Sequence, residues 1–175
     1  MLTKIDEAAD HIRSRTALEP KIAIILGSGL GGFADRVEAD AIIPYREIPH
    51  AAASNVAGHS GRMIIGQAAG VPVLVMQGRV HFYEGYSMEE VVFLARVAGR
   101  LGVSTAIVTN AAGGVNTSYA AGDLMLISDH INMLGTNPLR GQNFDELGPR
   151  FPDMSEVYPS ELRRLAREVS ERISV

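Results

Sequence analysis

Residues 71–86 read VPVLVMQGRVHFYEGY, and this stretch decides the predicted fold. Its first six residues form an apolar run, which predicts a buried strand. Because the run ends at Met76, we expect Arg79 and His81 just past the carboxyl end of that strand. Ligands of open α/β sheets bind at this edge. The stretch therefore predicts a binding site together with the strand that positions it.

The residues after this strand have the chemistry of an anion site. Arg79 and His81 are two apart, so in an extended chain they face one target together. Arg offers a fork of donors suited to phosphate or carboxylate, and His adds a donor that titrates near neutral pH. Tyr83 and Glu84 supply a hydroxyl and an acceptor that suit a sugar. A polar strand-to-helix loop with an Arg79–Glu84 ion pair fits the same residues equally well.

Composition excludes several classes of function. The chain has 175 residues, a net charge of −4 and no Cys. The length predicts one domain, and the charge gives no indication of nucleic acid or an anionic membrane as a partner. Without Cys there are no disulfides or thiolate metal sites, which fits a reducing cytoplasm. No apolar run is long enough to span a bilayer.

Helical and apolar segments alternate along the chain, which predicts an α/β fold. A helix over residues 5–15 would bury Ile5, Ala8, Ala9 and Ile12. A second helix starts at a Ser87–Glu90 capping box and ends before Gly102, and a third covers residues 160–173. Predicted strands are 21–26, 41–45, 62–67, 71–76, 105–109 and 124–127. Pro44 places the second strand at an edge, and the third and fourth form a hairpin. These features predict a mixed central β-sheet flanked by helices.

Gly27 to Gly32 has the spacing G-x-G-x-x-G after a strand, which is the dinucleotide-binding fingerprint. The five residues 33–37 are too few for a crossover helix, and no acidic residue closes the next strand. A nucleotide-dependent oxidoreductase is therefore the weaker hypothesis. Glycines also let backbone amides converge on an anion, to which Ser28 could donate one more bond. The alternative is a tight structural turn.

Other polar segments follow the same logic. Small residues around Ala111 end a strand, which lets backbone amides approach a ligand or lets a helix pack closely. His59 lies in a loop rich in small residues, where it could close over a site or lie on the surface. Asp129 and His130 alone do not make a metal site. Ser28, His59, Arg79, His81 and the Ala111 amide together match an inorganic-phosphate pocket at strand ends.

Six motifs in order resemble the trimeric type of the purine nucleoside phosphorylase family, from about residue 20 to the end. They are ILGSGLG at 25–31, GH at 58–59, QGRVHFYEGY at 77–86, VTNAAGG at 108–114, GDLMLISDHIN at 122–132 and RFPDMS at 150–155. The segment 49–56 is looser than the family pattern. Residues 82–86 favour the purine nucleoside branch over the related methylthioadenosine phosphorylases.

The resemblance implies reversible phosphorolysis of purine nucleosides, with no metal or organic cofactor and inorganic phosphate as co-substrate. It implies His81 and Glu84 as catalytic residues and Tyr83 as a nucleoside contact. The implied phosphate ligands are Ser28, His59, Arg79, Val80, His81 and Ala111. It further implies a cytoplasmic homotrimer in which Phe151 reaches a neighbouring subunit's ribose pocket.

Members of the family continue for roughly another hundred residues. Their total length is therefore near the upper end for single domains. We therefore expect residues 1–175 to be one nucleoside phosphorylase domain without its C-terminal third, which carries the purine-binding residues. A methylthioadenosine phosphorylase-like enzyme and a non-catalytic phosphate- or nucleoside-binding fragment remain alternatives.

Overall fold

The computed structural model describes residues 1–52 and 61–174. The chain divides into two compact units, residues 1–111 and 112–175, which are described separately below. The first unit contains a five-stranded sheet and three α-helices, and the second contains one α-helix among the residues that the structure describes.

The strands of the first unit are β1 (Ile22–Leu26), β2 (Glu38–Pro44), β3 (Arg62–Ala68), β4 (Val71–Gln77) and β5 (Thr105–Val108). Their order in the sheet is β2-β3-β4-β1-β5. β1 runs parallel to β4 and β5, whereas β3 is antiparallel to β2 and β4. The predicted mixed sheet is confirmed, and so are the β3–β4 hairpin and the edge position of the strand that ends at Pro44.

Helices α1 (Leu2–Arg13), α2 (Met88–Val91) and α3 (Phe93–Arg100) complete this unit. Helix α1 buries the four residues predicted for its inner face. The Ser87–Glu90 capping box is present at the start of α2. Helix α3 ends in a Schellman motif, because Gly102 N–H bonds to Gly99 O and Val103 N–H to Ala98 O. Gly102 has φ +95°, which favours glycine.

One continuous helix was expected over residues 88–101, and that prediction is wrong. The helix is interrupted at Val92, whose φ of −94° and ψ of 0° depart from helical values. Val91 and Val92 are consecutive β-branched residues, which lose side-chain freedom in a helix. Their presence explains why this turn is the one that departs from regular geometry.

Alternate residues of the strands pack into two cores, one on each face of the sheet. On one face, Met63, Ile65 and Leu74 join the buried side of α1 and α3. On the other face, Ile64 and Val75 join Ala34 of the 3-10 helix Gly31–Arg36. Burial on both faces explains why β3 and β4 are nearly continuous apolar runs in the sequence.

The second unit contains the 3-10 helix Asp145–Leu147 and helix α4 (Ser160–Ile173). The predicted third helix is thus confirmed. The predicted strand at 124–127 is wrong, because these residues adopt no regular secondary structure. A strand needs a neighbour for its backbone hydrogen bonds, and no described residue pairs with this run. Leu124 and Met125 are correspondingly 74% and 54% exposed.

Candidate active site

Three parallel strands end at the same edge of the sheet. Leu26 of β1 is paired with Gln77 of β4, and Ile25 of β1 with Val108 of β5. The segments that follow these strands begin at Gly27, Gly78 and Thr109. They carry Ser28, Arg79 and Ala111 respectively, so this edge brings together three of the residues predicted for the phosphate site.

Thr109 joins the ends of the three strands. Its hydroxyl donates to Ile25 O at 3.0 Å and accepts from Gly27 N–H at 2.8 Å. Its backbone N–H also bonds to Ile25 O, at 3.0 Å. Its carbonyl oxygen accepts a bond of 2.9 Å from Nη1 of Arg79. A single residue therefore contacts both the glycine-rich turn and the arginine.

Gly27 permits this close approach of β1 and β5. A Cβ atom at Gly27 would lie 2.4 Å from Thr109 O and 2.6 Å from Asn110 Cα. Both neighbours are backbone atoms, so rotation of a side chain could not relieve the overlap. Gly29, two residues on, has φ +85°, and Leu30 N–H bonds to Gly27 O at 3.2 Å. These features match a type II turn, which favours glycine at its third position.

Arg79 lies beside a buried phenol. The hydroxyl of Tyr45, whose residue is 1% exposed, donates to Gly78 O at 2.7 Å. Burial raises the pKa of Tyr45 well above its ordinary value of 10.0, and the positive charge of Arg79 opposes this only in part. Tyr45 therefore stays protonated and holds the backbone from which Arg79 extends.

A second hydrogen-bonded chain reaches the far end of the glycine-rich turn. Nε of Arg62 donates to Oε1 of Gln77 at 2.6 Å, and Nε2 of Gln77 donates to Gly31 O at 2.9 Å. Arg62 is on β3 and Gln77 ends β4. The turn between Gly27 and Gly31 is thus bonded to the side chain of Gln77, which is held in turn by Arg62 from the neighbouring strand.

The segment after Arg79 forms a compact His81–Glu84 pair. Oε1 of Glu84 lies 2.8 Å from Nδ1 of His81 and accepts the His81 backbone N–H at 2.8 Å. Their side chains are only 20% and 10% exposed. Because a carboxylate can only accept, the proton on this side of the imidazole lies on Nδ1. The His81 ring also stacks on Tyr83, with centroids 4.8 Å apart and planes 17° apart.

The other predicted site residues differ in their placement. Ser28 and Ala111 are exposed, whereas Val80 is 8% exposed. Tyr83 is 76% exposed. His59 lies outside the described residues. In the second unit, Phe151 is 88% exposed and follows Arg150, whose Nη1 bonds to the carbonyls of Leu139 and Gly141.

The structure gives no support to dinucleotide binding. The turn leads into a six-residue 3-10 helix and then into β2, which is separated from β1 by two strands. A dinucleotide-binding unit needs a crossover helix and a neighbouring parallel strand.

Nδ1 of His130 bonds to the hydroxyl of Tyr158 at 2.5 Å. Within residues 1–52 and 61–174, no group of three or more His, Cys, Asp or Glu side chains is placed to hold a metal ion. None of the helices described has the length and apolar character to cross a membrane.

Sequence reasoning missed Thr109, Gln77, Arg62 and Tyr45 as parts of this site. Thr109 was assigned only as the end of a predicted strand, and Gln77 only as the first residue after one. A hydroxyl or amide side chain at a strand end that also borders a glycine turn is the signal that could have indicated a support for that turn.

These features define an α/β protein in which glycine-rich and polar segments meet at the carboxyl edge of the parallel strands. A sequence profile of the Phosphorylase superfamily matches residues 21–175. The chain belongs to this superfamily.

Two proteins of similar sequence are named purine nucleoside phosphorylase 1. The chain is 53% identical over 173 residues to purine nucleoside phosphorylase 1 of Geobacillus stearothermophilus, covering 99% of this chain and 63% of that protein. It is 51% identical to purine nucleoside phosphorylase 1 of Bacillus subtilis over 175 residues, covering 100% and 65% of the two chains. The predicted resemblance to purine nucleoside phosphorylases is confirmed. The chain spans less than two thirds of the length of these relatives.

Solved structures support the fold. The crystal structure of isoform 2 of purine nucleoside phosphorylase from Schistosoma mansoni, in complex with cytosine and ribose-1-phosphate, aligns with a TM-score of 0.92 at 42% identity. The alignment covers 98% of this chain and 61% of that one. A second structure from the same organism, in complex with acetate, has a TM-score of 0.90 at 45% identity, with 98% and 64% covered.

Proposed function

We propose that the protein is a purine nucleoside phosphorylase, which converts a purine nucleoside and inorganic phosphate into the free base and ribose 1-phosphate. The observation that carries the proposal is the junction at Thr109, where the segments of Ser28, Arg79 and Ala111 leave one edge of the sheet. The names of the similar proteins support the same reaction.

The phosphate site would combine charge with backbone donors. Arg79 has five N–H donors in a planar fork, and Thr109 O accepts one of them. The exposed Ser28 hydroxyl and Ala111 amide would add neutral donors from β1 and β5. Because the side chain of Val80 is buried, its backbone is the part that would meet the anion. His59 is proposed to close over the phosphate.

The reaction transfers a pentosyl group. An oxygen of phosphate forms a bond to C1′ of the ribose while the bond between C1′ and N9 of the purine breaks. The electron pair of that bond goes to the base, which takes up a proton. The transition state has oxocarbenium character, so an anion held against the sugar stabilises it. Holding both reactants in line makes the attack effectively intramolecular.

His81, held by Glu84, would donate a hydrogen bond to one oxygen of the phosphate. With its proton on Nδ1 bound to Glu84, the ring of His81 can donate from Nε2 only when the imidazole is positively charged. The carboxylate of Glu84, 2.8 Å from Nδ1, fixes the orientation of the ring. Tyr83, stacked on His81 and largely exposed, would contact the ribose.

The assembly is part of the proposal. We infer a cytoplasmic homotrimer in which Phe151 of one subunit reaches the ribose pocket of its neighbour. Phe151 is 88% exposed, and the carbonyls bonded to Arg150 fix the backbone just before it. Residues 1–175 are proposed to belong to one nucleoside phosphorylase domain, which needs phosphate as co-substrate and no organic cofactor or metal.

The test is an assay of the full-length protein with inosine, with and without inorganic phosphate. We expect release of hypoxanthine and ribose 1-phosphate that depends on phosphate. Methylthioadenosine as a parallel substrate distinguishes the related phosphorylases. Base release without phosphate, or no release while phosphate binds, would contradict the proposal, and the second result would favour a non-catalytic binder.

A further inference from the structure

The glycine-rich turn is anchored by side chains at both of its ends. Gly27 N–H is bonded to Oγ1 of Thr109, and Gly31 O is bonded to Nε2 of Gln77. Thr109 follows β5 and Gln77 ends β4, the two strands that flank β1. Residues 28–30, between the two anchors, are all exposed.

Thr109 is placed to fix the distance between the turn and the arginine. Its hydroxyl bonds to Gly27 on one side and its carbonyl bonds to Arg79 on the other, at 2.8 and 2.9 Å. The glycine-rich turn and Arg79, which would bind the same anion, are therefore both hydrogen-bonded to Thr109. The hydroxyl cannot rotate away without cost, because it also donates to Ile25 O.

Gln77 is held in one orientation by Arg62. An amide side chain could present either its oxygen or its nitrogen to Gly31. The guanidinium of Arg62 can only donate, so it must face the amide oxygen, at 2.6 Å. The amide nitrogen is thereby directed at Gly31 O, at 2.9 Å. The bond to the turn is thus determined by a residue two strands away from β1.

We propose that Thr109 and Gln77 are positioning residues that hold the turn of residues 27–31 in the conformation that binds an oxyanion. Neither needs to touch the anion. Their effect is to order three exposed residues before the anion arrives, so that binding does not have to bear that entropic cost. The inference rests on the proposed function, since it names what supports the phosphate site.

The experiment measures inorganic phosphate binding to the full-length protein by titration calorimetry. Thr109→Val removes the hydroxyl with little change in shape, and Thr109→Ser restores it. Gln77→Leu removes the second anchor. The matched controls are Thr105→Val on β5 and Gln67→Leu on β3. Among the described residues, neither of these side chains has a hydrogen bond to the turn. Melting temperatures and amide hydrogen exchange of residues 28–30 are recorded for each variant.

We expect Thr109→Val and Gln77→Leu each to weaken phosphate binding about three- to tenfold, the effect of losing the one hydrogen bond that each makes to the turn. Exchange at residues 28–30 should become faster, and the KM for nucleoside should stay within about twofold of wild type. Thr109→Ser and both controls should bind phosphate as wild type does.

Unchanged phosphate affinity in both anchor variants would overturn the inference. If Thr109→Val does not fold, Gln77→Leu decides alone, because Gln77 lies at the partly exposed end of its strand. Failure of the wild-type protein to bind phosphate would instead overturn the phosphate site itself, and that outcome is recognised before any variant is made.

Discussion

Replacing Gly27 with alanine tests the junction between the turn and β5. The new Cβ would lie 2.4 Å from Thr109 O and 2.8 Å from Thr109 C. Ordinary contacts of a Cβ atom begin near 3.4 Å, so the two backbones would have to separate by about 1 Å. That movement would stretch the 2.8 Å bond between Gly27 N–H and the Thr109 hydroxyl beyond hydrogen-bonding range.

The expected cost follows from these distances. Overpacking of a tight contact costs about 1–3 kcal/mol, and the lost hydrogen bond adds about 1 kcal/mol. The sum is about 2–4 kcal/mol of unfolding free energy. For a chain of this size each kcal/mol lowers the melting temperature by about 2–4 °C, so a fall of about 4–16 °C is expected. Because Thr109 O also accepts a hydrogen bond from Arg79, phosphate affinity should fall as well.

Gly29 in the turn and Gly32 just after it are matched controls. A Cβ at Gly32 would meet nothing within 4 Å, and Gly32→Ala should melt as wild type does. Gly29 also has open space but φ +85°, so Gly29→Ala should lose about 1 kcal/mol through backbone strain alone. Thermal unfolding and phosphate titration rank the three variants by melting temperature and by phosphate affinity. If Gly27→Ala melts within about 4 °C of Gly32→Ala, the argument from close approach is refuted; that limit is the smallest expected fall, which corresponds to about 2 kcal/mol.

Three further predictions address separate parts of the molecule. Arg79→Ala should raise the KM for phosphate by about tenfold or more, the value of a charge-assisted bond, and equal losses for phosphate and nucleoside would argue against a phosphate ligand. Ser87→Ala should lower the melting temperature by about 2–4 °C through loss of a helix cap without changing phosphate binding. The Ser87 amide and hydroxyl hold the pKa of Glu90 below its usual value, so this stabilisation should be present at neutral pH and fade as pH falls through the acidic range, as acid titration of melting temperature would show. Phe151→Ala should raise the KM for nucleoside in the full-length enzyme while leaving subunit melting unchanged, since Phe151 is 88% exposed; an unchanged KM would contradict its proposed role in a neighbour's pocket.

The sheet and the segments at its carboxyl edge were predictable because their signals are local. Buried strands such as β4 are continuous apolar runs, and polar or glycine-rich segments follow them directly. The rule that ligands bind beyond the carboxyl ends of parallel strands then places Ser28, Arg79 and Ala111 on one edge. The roles of Thr109 and Gln77 were not predictable in this way, since each depends on which strands are neighbours and in what register. A hydroxyl or amide at a strand end reads the same whether it supports a turn or faces water.

Three apolar segments show the limits of reading burial from hydrophobic periodicity. Residues 124–127 form an apolar run like those of β3 and β4, yet no strand forms, because a strand requires a partner for its backbone as well as apolar side chains. Helix α4 forms as predicted, but its apolar residues Leu165 and Ile173 are 52% and 63% exposed. On β5, Ile107 and Val108 are likewise 49% and 57% exposed. A sequence pattern specifies which face of an element is apolar. Burial of that face requires a second surface, and the pattern of one element does not identify that surface.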